Sequence, residues 1–96
     1  MSVIGYAYLL KSERVKVLER LIYYGCVFSG QKKSNGETYY AINYLDASTG
    51  RCKTDWSLTY DQFKAIESQH IDVGTLCTGE IYLDDNMKGY VGGIKL

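Results

Sequence analysis

The run Thr38-Tyr39-Tyr40-Ala41-Ile42-Asn43-Tyr44-Leu45-Asp46 leaves the backbone little choice. Aromatic and β-branched side chains dominate it, and these fit the pleated, half-buried surface of a sheet. It predicts a strand over Thr38–Asp46. Alternate residues of a strand face opposite ways. Thr38, Tyr40, Ile42 and Tyr44 therefore share one face, and Tyr39, Ala41, Asn43 and Leu45 the other. The following run, Arg51–Leu58, also alternates. It predicts a second strand with Arg51, Lys53, Asp55 and Ser57 facing out and Cys52, Thr54, Trp56 and Leu58 facing the core. Tyr23–Gly30 reads as a strand before them.

Turns between these strands are marked by glycine, because the chain has no proline. Asn35-Gly36 is a hairpin signal, since both residues tolerate positive φ. It lies in the basic segment Gly30-Gln31-Lys32-Lys33-Ser34-Asn35-Gly36. Ala47-Ser48-Thr49-Gly50 is a second turn. Thr59-Tyr60-Asp61-Gln62 matches a capping box, so a short helix is expected to about Ser68, with Phe63 and Ile66 inward. Thr75–Leu83 and Tyr90–Leu96 read as strands around the turn Asp84-Asp85-Asn86-Met87-Lys88-Gly89.

The N-terminal part is less definite. Residues 3–10 alternate weakly and suit a strand. From Ser12 to Tyr24, Val15, Leu18 and Leu21-Ile22 recur at helical spacing, Ser12 can cap and Gly25 can stop the turn. A short helix is the expectation there, although Val15, Val17, Tyr23 and Tyr24 also suit a strand.

The order is three hairpin-linked strands, a short helix and two more strands. That is the order of an all-β, five-stranded OB-like barrel, whose helix plugs the bottom between strands three and four. Residues 1–96 form one such domain, with 1–22 an N-terminal extension packed on or preceding the barrel. A chain of 96 residues buries only about 60–65% of its unfolded surface, so its core is thin and a homodimer is expected.

Composition excludes several classes. No apolar run approaches the ~20 residues that span a bilayer. Met1-Ser2-Val3-Ile4-Gly5-Tyr6 lacks the basic and long apolar regions of a signal peptide, so a cytoplasmic protein is expected. Cys26, Cys52 and Cys77 are widely spaced, and one histidine, His70, accompanies them. They do not make a zinc ligand set and are expected to be small buried hydrophobes. Asp84-Asp85-Asn86 lacks the spaced ligands of a calcium loop. No metal, cofactor, membrane or small-molecule substrate is expected. His70 follows a helix C-terminus and reads as a cap rather than a catalyst, and no catalytic set can be assembled around it.

Formal net charge is zero, but from Lys11 to Lys53 there are eight Lys/Arg against four Asp/Glu. From Thr54 to Leu96 there are three against seven. Such asymmetry fits either a polyanion-binding face or two halves of one sheet that attract each other.

The residues Gly36-Glu37-Thr38-Tyr39, with Leu45-Asp46 ending the strand, resemble the glycine–x–x–tyrosine start of the second strand in the small single-stranded-DNA-binding proteins of filamentous phages and related mobile elements. Val73-Gly74-Thr75-Leu76, Tyr82-Leu83 and Gly89-Tyr90-Val91-Gly92-Gly93-Ile94-Lys95-Leu96 resemble that group's closing hairpin. The likeness covers roughly residues 24–96. It implies an OB-type, helix-destabilising protein that coats single-stranded DNA as a dimer, in the setting of DNA replication.

Ten tyrosines in 96 residues suit base stacking, which needs rings beside cations. They are also ordinary strand residues. For nucleic acid, Tyr39 and Tyr44 are the expected stacking rings, with Tyr40 and Tyr44 taking that part if the register is reversed. Lys32, Lys33, Arg51 and Lys53 are the expected phosphate contacts, with Arg51 and Lys53 pointing one way beside Tyr39. The bland account of the last two is salt bridging to Glu37 or Asp46. The function expected is non-enzymatic, sequence-tolerant binding of single-stranded DNA. The alternative is a protein–protein interaction or inhibitor module encoded by a phage or mobile element, its tyrosines forming the contact surface.

Overall fold

The computed structural model describes residues 14–96. It contains strands β1 (Lys16–Gln31), β2 (Thr38–Asp46) and β3 (Cys52–Leu58), helix α1 (Tyr60–Glu67), and strands β4 (Leu76–Leu83) and β5 (Gly89–Lys95). The five strands form one antiparallel sheet in the order β3-β2-β1-β4-β5.

The helix expected over Ser12–Tyr24 is corrected. Ser12 lies outside the described residues, as does the strand expected over 3–10. Lys16–Tyr24 is the first half of a 16-residue strand. Two neighbouring strands decide this. Residues 16–23 pair with β4, and residues 22–31 pair with β2. These ladders satisfy the backbone groups, and Val17, Ile22, Tyr23 and Tyr24 favour the pleat. The boundary drawn at residue 22 is corrected too, because Ile22 pairs with both Asp46 and Cys77 at the centre of the sheet.

β1 changes neighbours at a bulge between Tyr24 and Cys26. Gly25 sits there because a Cβ would lie 2.5 Å from the Asn43 carbonyl oxygen. Bulges bend a strand and increase its twist. The sheet coils until its edges, β3 and β5, come together. They do not join by a backbone ladder, so the closed barrel expected is reduced to a β-rich coiled sheet with one short helix.

Side chains bridge the edges instead. The Asp55 carboxylate on β3 accepts the Val91 backbone N–H on β5 at 2.8 Å, and the Tyr44 hydroxyl at 2.8 Å. Ser57 Oγ donates to Asp84 Oδ2 at 3.2 Å. The Arg14 guanidinium donates to the Ser57 carbonyl and, at 3.2 Å, to the Tyr90 hydroxyl.

The core holds Ile22, Tyr24, Ile42, Tyr44, Leu58, Phe63, Ile66, Cys77, Ile81, Tyr90, Val91 and Ile94. Each fully buried aliphatic among them contributes roughly 1.5–3 kcal/mol. α1 closes the core with Phe63 and Ile66, as the sequence predicts. Its capping box is present: Thr59 Oγ1 accepts the Gln62 N–H, and Gln62 Oε1 accepts the Thr59 N–H. Gln62 Oε1 also accepts the Tyr90 hydroxyl at 2.7 Å, tying the helix to β5. The C-cap of α1 is Ser68 rather than the expected His70, which lies two residues beyond it with φ 50° and donates its N–H to the Glu67 carbonyl. Among the described residues, no buried side-chain nitrogen or oxygen lacks a hydrogen-bond partner.

Candidate nucleic-acid interface

The outer face of β1, β2 and β3 carries three aromatic rings in mutual contact. Phe28 and Trp56 meet edge to face at 5.6 Å between centroids, Tyr39 and Trp56 at 5.3 Å, and Phe28 and Tyr39 at 6.4 Å. Each strand supplies one ring. Edge-to-face contact suits the charge distribution of aromatic rings. Trp56 remains 55% exposed, which is unusual for so large an apolar side chain.

The inward placement of Trp56 is thus corrected, and the reason is register. Tyr40 pairs with Leu58, but Ile42 pairs with Asp55. Two steps along β2 match three along β3, and one extra residue reverses the alternation. Leu58 stays in the core, while Asp55 moves to the core side and Trp56 to the outside. Thr54 and Cys52 then also face out. Cys26 and Cys52 are exposed, so only Cys77 meets the expectation of a buried hydrophobe.

Tyr39 lies on the outer face, as expected. Its ring crosses Gly30, where a Cβ would come 2.5 Å from the Tyr39 hydroxyl oxygen. Glycine at this position therefore allows the ring to lie against the strand. Tyr40 faces inward and packs on Phe63 with centroids 5.1 Å apart.

Tyr44 does not stand beside Tyr39 as a second exposed ring. It is 9% exposed, shares the face of Ile42, and donates its hydroxyl to Asp55. Burial and the adjacent carboxylate raise its pKa far above the ordinary phenol value.

The expected cations are dispersed. Lys53 pairs with Tyr44, so it takes the core side of β3, at the opposite end of the β2–β3 ladder from Tyr39. Its ammonium lies 3.8 Å from Asp46, whose carboxylate also meets Arg20 at 3.5 Å. The Ser48 hydroxyl and N–H hold Asp46 below the usual carboxylate range, helped by Lys53. Lys53 therefore follows the salt-bridge account of its role. Arg51 is exposed in the β2–β3 turn, not aligned with Lys53 beside Tyr39. Lys32 lies 3.9 Å from Glu37, and Lys33 is exposed in the same hairpin. Lys33 and Arg51 make no ion pair among the described residues.

The charge asymmetry along the sequence resolves partly into contacts between the halves. Arg14 meets Asp85 at 3.5 Å and Lys16 meets Glu80 at 3.1 Å.

Phe28, Trp56 and Arg14 are the residues that sequence reasoning missed. The bulge that exposes Trp56 has no local signature in Arg51–Leu58, and Phe28 reads as one more apolar strand residue.

No group of three or more His, Cys, Asp or Glu among the described residues could hold a metal ion. No helix among them is long and apolar enough to cross a membrane. Comparison with protein-family models, curated proteins and solved structures finds no match for this chain.

Proposed function

We propose that this chain is a non-enzymatic, sequence-tolerant single-stranded DNA-binding protein, related to the small OB-type proteins of filamentous phages and mobile elements. The carrying observation is the exposed set of Phe28, Tyr39 and Trp56 on three adjacent strands. Bases stack on such rings whatever their identity. The strand order, the helix between β3 and β4, and the approach of β3 to β5 support an OB-like barrel sealed by side chains rather than by a complete ladder. In that fold the rings lie on the face that takes oligonucleotides.

Phosphates would meet Lys33 and Lys32 beside Tyr39, and Arg51 at the far turn. Homodimer formation is part of the proposal. Val15, Val17 and Met87, exposed by 47, 46 and 72%, supply apolar surface suited to it. DNA coating during replication in the cytoplasm is the setting that this reading implies.

The scarcity of unpaired cations favours a second reading, a protein-interaction or inhibitor module using the same rings. One titration separates the two. A labelled oligo(dT) binds the wild-type chain at low salt and loses affinity as salt rises if the first reading holds. An unshifted oligonucleotide overturns it in favour of the second.

A further inference from the structure

A shallow depression of about 740 Å³ lies on the outer sheet face at the other end of β2 from the rings. Tyr23, Leu45, Cys52 and Val73 line it, with Gly25 and Asn43. Register explains its composition. Cys52 pairs with Leu45, Leu45 with Tyr23, and Tyr23 with Leu76, a row across four strands. Directly paired residues share a face. In this row Tyr23 is 39% and Leu76 52% exposed, and neighbouring Val73 is 80% exposed.

Between this row and the rings stands Asn43. Its Oδ1 accepts the Thr54 hydroxyl at 2.5 Å, and its Nδ2 lies 3.6 Å from Cys26 Sγ. The amide is thereby oriented, with one N–H and one lone pair left over. An apolar concavity with a few placed polar groups is the general form of a small-ligand site.

We infer that this depression is a second base-binding subsite, and that a single strand runs along β2 from Trp56 past Asn43 to Tyr23. The inference rests on the DNA-binding reading above. Continuity carries it: the same outer face links both places, without a change of strand. Charge agrees, with Lys32 and Lys33 at the ring end and Arg51, exposed in the β2–β3 turn, at the other. Ala41 and Leu45 mark the two places on β2, about 14 Å apart at ~3.4 Å per residue. That is the length of about four stacked nucleotides at ~3.4 Å each. Tyr23 supplies the stacking ring, and Asn43 meets the edge of a base between the subsites.

The test is a length series from dT2 to dT10 on the full chain, followed by the fluorescence of Trp56, the only tryptophan. Affinity should rise about tenfold or more once the oligonucleotide spans both subsites, about the gain of one further stacked base. Beyond that length the gain per nucleotide should fall. Tyr23→Ala should remove most of that rise and leave the dT2 affinity and the Trp56 quenching as in wild type. Val73→Ser, a change in an exposed loop, should reduce the rise without altering the unfolding midpoint. Trp56→Ala, followed by a labelled oligonucleotide, should weaken short and long oligonucleotides alike. A rise unaffected by both Tyr23→Ala and Val73→Ser overturns the second subsite but leaves DNA binding intact. So does a change from dimer to monomer mass in either variant, which would make the depression a contact between copies. If no oligonucleotide binds at any length, the DNA-binding reading itself fails and takes the subsite with it.

Discussion

The Asp55 carboxylate on β3 and the Val91 backbone N–H on β5 are hydrogen-bonded at 2.8 Å, across the gap that the backbone ladder leaves open. The same oxygen accepts the Tyr44 hydroxyl. Val91 has no exposed surface, so its N–H depends on this partner. One carboxylate thus connects the β2 core to both edges of the sheet. Asp55→Ala should cost about 1–3 kcal/mol, because it strands a buried donor. Tyr44→Phe should cost about 1 kcal/mol, the net value of one hydrogen bond. Urea unfolding followed by circular dichroism checks both, and equal midpoints for wild type and Asp55→Ala would remove the seam from the account.

Stability should decline on both sides of neutral pH. Hydrogen bonds from Ser48 depress the pKa of Asp46, and backbone N–H groups of Lys88 and Asn86 depress that of Asp84. Their contribution is complete above the unfolded carboxyl value of about 3.9 and is lost as pH falls through the folded values. Burial raises the pKa of Tyr44, Tyr24 and Tyr82. Their contribution is complete below the unfolded phenol value of about 10 and is lost as pH rises beyond it. Unfolding midpoints across pH should trace both edges. Asp84→Asn should flatten the acid edge.

Gly25 and Gly30 should respond differently to alanine. At Gly25 the new methyl meets backbone, the Asn43 carbonyl oxygen at 2.5 Å. This should cost about 1–3 kcal/mol, the range for overpacking. At Gly30 it meets the far end of Tyr39, which can swing away. Gly30→Ala should leave the unfolding midpoint nearly unchanged and weaken oligo(dT) binding by displacing the ring. Parallel melts and titrations of the two variants distinguish these effects.

Rings and cations should separate by salt dependence. Trp56→Ala or Tyr39→Ala should weaken oligo(dT) binding by ~1–3 kcal/mol with the salt slope unchanged. Lys33→Ala and Arg51→Ala should each flatten the slope by about 0.7. Lys53→Ala should flatten it less, because Asp46 already holds that ammonium. Titrations at four salt concentrations provide the slopes.

Local chemistry alone determined the elements from Thr38 onward. The period-two pattern of Thr38–Asp46 marks β2, and the Thr59–Gln62 capping box marks the start of α1. Both depend on neighbours in the chain, so a single sequence displays them. Tyr39 was legible as an outer ring for the same reason. Tertiary pairing decided the rest. Val15–Tyr24 suits helix or strand by itself, and two flanking ladders select the strand. Trp56 reads as core until the β2–β3 register is known, because one bulged residue reverses every side chain before it. Tyr44 and Lys53 left the expected site together, since they are paired and face the Asp46 side. The ring set, the Asp55–Val91 bridge and the Tyr23 depression each join residues from separate strands. Their positions follow from the bulges that set the β1–β2 and β2–β3 registers and from the approach of the sheet's two edges, long-range outcomes that no run of adjacent residues encodes.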